Sequence, residues 1–460
     1  MASPRIINEP AEFQVNEIFF STTDSRGLIT EGNEVFERTS GYSRSELLGH
    51  AHSVVRHPHM PRAAFRLVWR YLKEQKTVAA LVKNCAKDGR YYWVVALITP
   101  CAGGYLSVRF KPTGGFLPIV ERIYGSALQA ESRNPEAPMD AGEAVIVAGL
   151  ANHGYSSYDD FMLKLLCEEL KSRDALMAQR GLAPIKALSA GVRHSKTNLV
   201  LAAAYDEGSQ AYFQVGKLFT KLEEFVRLQG TLDQKSTFVT TLTSDLRIAS
   251  MNVSLASGRL GSDGLALGVI STYMGSASSG IAGEASQLVS GITGVSTQIQ
   301  RVIFNLAAAR LQLEMDMDYV HQVISRTEDH AHKEASHCAI AVLHGVFQET
   351  LSRAEEALRA LRESTHTLNA FSHGLSKQIL GLQMAQLGGR VESSRIVAGD
   401  FDAVFSGIGD QVNRTHYELF TLEEALEALE RLSNETPVLA SLATSCAKRM
   451  RDGLFRDKAA

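Results

Sequence analysis

The string Arg56-His57-Pro58-His59-Met60-Pro61 gathers the side chains of this sequence best suited to holding a charged ligand. An arginine fork pairs bidentately with phosphate. Pro58 and Pro61 have no amide donor and fix their own φ, and each biases the residue before it, His57 and Met60, away from the helical region. The string is therefore expected to be an extended turn presenting Arg56, His57 and His59 ahead of a helix. The competing reading is a solvated loop with a few basic residues, because short motifs carry little specificity.

A second group, Asp329-His330-Ala331-His332 with His337 and Cys338, has metal-ligating residue types. Residues two apart on a helix point to different faces. His330 and His337 lie too far apart to share one ion in the geometry a metal demands, so no metal site is expected. Cys85, Cys101, Cys167, Cys338 and Cys446 are scattered and form no Cys-x-x-Cys pair, which argues against a disulfide framework or zinc. There is no Gly-x-x-x-x-Gly-Lys loop, no kinase or cyclase signature and no His-Glu-x-x-His. No enzymatic activity is expected.

The chain has 460 residues, enough for two or three domains, with 45% hydrophobic and 21% charged residues, the balance of a soluble globular protein. A net charge of −3 without a basic block gives no case for nucleic acid. No apolar run is expected to span a bilayer. Residues 1–14 lack the charged and apolar regions of a signal peptide. The expected compartment is the cytoplasm.

The ligand-holding string must be positioned by the module around it, residues 16–113. Ile18 to Thr23 and Leu28 to Thr30 read as a strand hairpin, Asn33 to Arg38 and Ser45 to Leu48 as short helical turns, and Ser43 with Glu46 as a capping box. A helix is expected from Arg62 to Gln75, with Ala64, Leu67, Val68, Tyr71 and Leu72 on one face. Strands follow at Val78–Lys83, Tyr91–Thr99 and Tyr105–Phe110, with turns at Asp88-Gly89 and Gly103-Gly104. The predicted fold is α+β: a five-stranded antiparallel sheet with helices on one side and a ligand pocket between them.

Asn33-Glu34-Val35-Phe36, Ser40-Gly41-Tyr42, Leu47-Leu48-Gly49, Val55-Arg56-His57-Pro58 and Asp88-Gly89-Arg90-Tyr91-Tyr92-Trp93-Val94, in this order and spacing, resemble a PAS sensor domain. The Arg-His-Pro-x-Met-Pro string resembles the aerotaxis-receptor subgroup. The resemblance implies FAD in the pocket, its redox state reporting respiratory or oxygen status, with Asn33, Arg56, His57 and Trp69 as contacts. Arg56 and His57 suit a pyrophosphate and Trp69 suits the wall of a ring system. The family carries Asp where this chain has His59. Other PAS sensors hold haem through one histidine, which makes His50, His52, His57 and His59 the candidates for that alternative.

Residues 114–158, rich in Pro and Gly, read as a linker with a short apolar helix near Leu117 to Leu128. From Asp159 onward helical periodicity dominates, so 159–460 is expected to be a coiled-coil or bundle signalling region. Within 238–292, Val239, Leu242, Leu246, Ala249, Val253 and Ala256 recur at helical spacing. The pattern resumes after Gly258–Gly264 with Leu267, Ile270, Met274, Ala277, Ile281 and Leu288, which makes an antiparallel hairpin.

Ile248-Ala249-Ser250-Met251-Asn252 and Arg259-Leu260-Gly261-Ser262-Asp263-Gly264 resemble the signalling tip of chemoreceptors, in a degenerate form: Ala256, Ser262 and Leu265 depart from the family's residues. The resemblance implies a homodimer that contacts a chemotaxis histidine kinase, its coupling protein or other chemoreceptors through Ile248, Met251, Asn252, Arg259 and Val269. Methylation sites are not expected. The sequence thus points to a redox- or oxygen-sensing transducer. The alternatives are a haem sensor and a PAS-dimerised scaffold outside chemotaxis.

Overall fold

The computed structural model describes residues 6–188, 199–258, 265–325, 330–395 and 401–454. They divide into two compact units: Met1–Phe219, Ile303–Ala354 and Leu439–Ala460 in the first, Thr220–Val302 and Glu355–Val438 in the second.

The first unit is built on strands β1 (Ile18–Asp24), β2 (Ile29–Gly32), β3 (Val78–Cys85), β4 (Tyr91–Cys101) and β5 (Gly104–Phe110). They form one antiparallel sheet of order β2-β1-β5-β4-β3. Helices α1 (Glu34–Ser40) and α2 (Arg44–Leu47), a 3-10 turn (His52–Val55) and α3 (Arg62–Lys73) lie between β2 and β3. Local chemistry sets the ends of these short helices. The Asn33 side chain accepts from the Phe36 amide at the start of α1, and Gly41 at φ 71° closes it. The Ser43 amide donates to Glu46 Oε2 at 3.0 Å, as a capping box requires. Pro61 precedes α3, whose Ala63, Ala64, Leu67, Val68 and Leu72 are buried.

The sheet is covered on both faces rather than one. Every residue of β3 is buried, the state an unbroken apolar run signals. On the face away from α3, Gln312 Nε2 donates to Thr99 Oγ1 at 3.0 Å and Tyr319 packs edge-on to Phe20 at 4.9 Å. This layer comes from α6 (Tyr158–Gln179) and α9 (Leu265–Ser325), which follow α7 (Leu199–Thr220) and α8 (Leu222–Gly258) along the chain. The segment Arg310-Leu311-Gln312-Leu313-Glu314-Met315-Asp316 of α9 is buried throughout despite its charges. Each charge there has a partner. Arg173 meets Glu314 at 2.6 Å, Arg310 grips Asp174 through two bonds of 2.6 and 2.7 Å, and His344 Nδ1 lies 3.0 Å from Asp316.

The stretch expected as a linker instead holds α4 (Phe116–Arg133) and α5 (Pro138–Asn152), packed on each other and on α3. Pro138 occupies the first turn of α5, where its missing amide costs nothing. A Cβ at Gly142 would lie 2.7 Å from Glu131 and 2.9 Å from Ala63, and one at Gly149 would lie 2.9 Å from Ile123. These glycines are contact surfaces between helices, not linker flexibility. Arg66 bonds Asp140 and Glu143, and Arg70 bonds Glu143, which ties α3 to α5.

Four helices supply the second unit as an antiparallel bundle: α8, α9 as far as Val302, α10 (His330–Ser393) from Glu355 on, and α11 (Phe401–Leu454) as far as Val438. The expected 238–292 hairpin is formed by α8 and α9: Ser296 Oγ bonds Asp233 at 3.0 Å, and Gly275 faces Ser250. Its turn, with Arg259, lies outside the described residues. A second hairpin closes the bundle. Gln386 Nε2 donates to the Phe405 carbonyl at 2.8 Å, Gly374 sits against Glu284, and Lys221 pairs with Glu435 at 2.6 Å. Leu246, Val253, Leu267, Met274, Ile281, Leu375, Leu382, Ile408 and Leu419 fill the core at a and d spacing.

Among the described helices α9 contains an 18-residue window of mean hydropathy 1.2, long and apolar enough by length and composition alone to cross a membrane, of which 28% is buried.

Candidate functional site

The sheet and α3 enclose a cavity of about 290 Å³. Alternation along the strands decides which side chains reach it: Ser21 and Thr23 from β1, Ala96 and Ile98 from β4, and Tyr105, Ser107 and Arg109 from β5. Helical periodicity supplies the opposite wall, where Phe65, Val68, Trp69 and Leu72 form one stripe of α3. His52, Ser53 and Arg56 close the side nearest the 3-10 turn. The walls are mainly apolar, with a few convergent polar groups, the usual character of a small-molecule site.

Arg109 forms the floor. Its Nη2 donates to Ser21 Oγ at 2.8 Å and to His52 Nε2, and its guanidinium lies 5.1 Å from the Phe36 ring centre and 5.7 Å from that of Phe19. Burial lowers its pKa to about 10, so it stays charged at neutral pH. Burial, and then the Arg109 charge, hold His52 well below the ordinary imidazole range, so its ring is neutral and accepts at Nε2. The His52 ring stacks on Phe36 with centres 6.0 Å apart.

Trp69 stands at the mouth, 37% exposed, edge-on to Tyr105 at 5.3 Å. Arg56 lies 4.3 Å over the Phe65 ring and donates to the Met60 carbonyl at 3.1 Å. Its pKa is lowered by burial, then by Arg62.

Of the four residues the family resemblance implies, the structure brings Arg56 and Trp69 to the cavity and places Asn33 and His57 outside its lining. Asn33 is buried between α1 and β1, accepting from the amides of Phe20 and Phe36 and donating to the Ile18 carbonyl. That set uses the side chain as a brace. His57 is 1% exposed and accepts from the His59 amide at 3.0 Å. Burial, then Lys83 and His59, lower its pKa to about 4. Of the four candidate haem histidines only His52 lines the cavity, and its Nε2 is bonded to Arg109.

Arg109 was not singled out from the sequence. The available signal was an arginine in phase with Tyr105 and Ser107 on an otherwise apolar strand. In the second unit Ile248, Met251, Asn252 and Val269 are all exposed.

Residues 29–104 match the PAS fold family. The chain is 36% identical over 126 residues to the aerotaxis receptor of Escherichia coli K12, covering 26% of this chain and 25% of that one. It is 32% identical over 83 residues to the nitrogen fixation regulatory protein of Klebsiella pneumoniae, covering 18% and 17% respectively. The chain thus spans a quarter or less of the length of these relatives. Among solved structures, the LOV domain of a blue-light-activated histidine kinase from Erythrobacter litoralis aligns at 18% identity and TM-score 0.19, covering 20% of this chain and 90% of that one. A fungal LOV photoreceptor aligns at 20% identity and TM-score 0.18, covering 23% and 81%. The sheet, its strand order and the matched residues together identify the N-terminal domain of this chain as a PAS domain of the aerotaxis-receptor type.

Proposed function

We propose that this chain is a cytoplasmic redox- or oxygen-sensing transducer, not an enzyme, whose PAS cavity holds FAD. The observation that carries the reading is the make-up of the cavity. Aromatic side chains, Trp69 and Phe65, wall it, and arginines stand at both ends, Arg56 near the turn and Arg109 at the floor. Trp69 and Phe65 would face the flat ring system, Arg109 its electron-rich edge, and Arg56 the pyrophosphate. The bound flavin would supply reversible electron uptake. The likeness to a protein named an aerotaxis receptor supports the same reading. Haem is less well matched, because His52 would first have to give up its bond to Arg109.

The output in this reading is a homodimer whose four-helix bundle touches a chemotaxis histidine kinase, its coupling protein or other chemoreceptors. Support comes from Ile248, Met251 and Val269, which expose 54, 57 and 71% of their surface near the end of the α8–α9 hairpin. Exposed apolar groups concentrated in this way mark interaction surfaces.

The absorption spectrum of the purified protein tests the cofactor. Bands near those of oxidised flavin, with FAD released on denaturation, are expected. A colourless protein that takes up no added FAD would refute it. Capture of the coupling protein by wild type, lost in Met251→Glu/Val269→Glu, tests the output, and light scattering tests the dimer. Recovery from the membrane fraction would refute the cytoplasmic assignment.

A further inference from the structure

Burying a guanidinium costs several kcal/mol unless a counter-charge meets it. Arg173 and Arg310, both buried in the same unit, each have a carboxylate within 2.6 Å. Arg109 is 3% exposed and has none among the described residues. Its bonds go to a neutral hydroxyl and a neutral imidazole, its faces meet two phenyl rings, and its Nη1 has no hydrogen-bond partner. Arg109 also lines the cavity, together with Arg26 and Arg56.

We infer that Arg109 is a receptor for negative charge on the bound flavin, and so binds the reduced, anionic ring more tightly than the oxidised, neutral one. The inference rests on the flavin reading above. Two electrons and one proton added to the neutral ring leave it with one negative charge, the electrons coming in the titration below from dithionite, which is oxidised to sulfite. A cation held without a counter-ion gains more from the anion than from the neutral ring. A site can shift an equilibrium only by such differential affinity. Arg109 therefore raises the potential at which the sensor is reduced. Before any ligand binds, the uncompensated charge works against folding.

The test uses the full chain as wild type, Arg109→Gln and Arg109→Lys, each loaded with FAD and titrated with dithionite against an indicator dye in the absence of oxygen. Arg109→Gln is expected to weaken the hold on reduced FAD far more than the hold on oxidised FAD. Its preference for reduced over oxidised flavin should fall roughly 100-fold, about 60 mV in midpoint potential at about 30 mV per tenfold. Arg109→Lys keeps the charge and should retain most of the preference. Without FAD, Arg109→Gln should melt at or above the wild-type temperature, which a merely structural arginine would not do. An unchanged potential in Arg109→Gln, or a ligand-free melting point several degrees lower, overturns the inference. Wild type that takes up no FAD overturns the flavin reading and this inference with it. Wild type that takes up FAD while the variant potential is unmoved overturns this inference alone.

Discussion

Removal of the Glu131 carboxylate should loosen the wall of the cavity from a distance. Helix α3 begins after Pro61, which offers no side-chain acceptor, so the first amides of the helix need one from elsewhere. Glu131 of α4 provides it: Oε2 accepts from the Arg62 amide at 3.0 Å and Oε1 from the Ala63 amide at 2.8 Å. Glu131 is 9% exposed, so water cannot take over these bonds at no cost. Hydrogen bonds to a charged group contribute about 1.5–3 kcal/mol each, and an anion at a helix N-terminus about 0.3–1 kcal/mol more. Since the two bonds share one carboxylate, Glu131→Ala should cost roughly 3 kcal/mol. Glu131→Gln keeps one acceptor and should cost about 1 kcal/mol.

The assay has a built-in reporter. The chain's two tryptophans, Trp69 and Trp93, both lie in the PAS domain, so urea unfolding followed by tryptophan fluorescence reads that domain directly. Hydrogen exchange at the amides of Arg62 to Phe65 should quicken in step. Because α3 carries Phe65, Val68, Trp69 and Leu72 into the cavity, bound flavin should be lost more readily too. A Glu131→Ala protein within about 0.5 kcal/mol of wild type, the usual span of an inconsequential surface change, with unchanged exchange, would refute the role given to Glu131.

Trp69→Ala should weaken FAD retention roughly tenfold and Trp69→Phe much less, as measured by flavin release on dilution, because the aromatic wall contributes about 1 kcal/mol beyond its area. Arg173→Met leaves Glu314 charged and buried and should cost about 3–5 kcal/mol. The double variant Arg173→Met/Glu314→Gln should recover much of this in thermal melting, and a double variant worse than the sum of its parts would contradict the pairing. His57 titrates near 4 in the fold and near 6.5 when unfolded. Between those values the unfolded chain binds the extra proton, so stability rises with pH and is lost as pH falls from about 6.5 toward 4. His57→Asn should remove roughly 2–3 kcal/mol of that dependence in unfolding followed from pH 7 to 4.5, leaving the part that His52 adds in the same direction.

Much of the PAS domain was legible because its signals are local. Asn33, Gly41, Ser43 with Glu46, and Asp88-Gly89 act within a few residues of themselves, and period-2 and 3.6 patterns placed every strand and α3 close to their observed limits. The helical hairpin was legible for the same reason. The segment 114–158 was misread because glycines that let two helices approach look, along the chain, like glycines that let a chain bend. Arg310-Leu311-Gln312-Leu313-Glu314 was read as part of an ordinary helical region because nothing local tells a charged helix that Arg173, Asp174 and Thr99 will meet it.

From its sequence alone this chain determined a PAS domain followed by long helices, since hydrophobic period and turn chemistry are properties of neighbours along the backbone. Tertiary structure decided which polar groups share a cavity. It set Asn33 and His57 in bracing positions, brought Arg56 and Trp69 to the cavity wall, and left Arg109 charged at the floor with no carboxylate partner among the described residues. The physical reason is that a buried charge is defined by what surrounds it in space, and those surroundings come from strands and helices far apart in the chain.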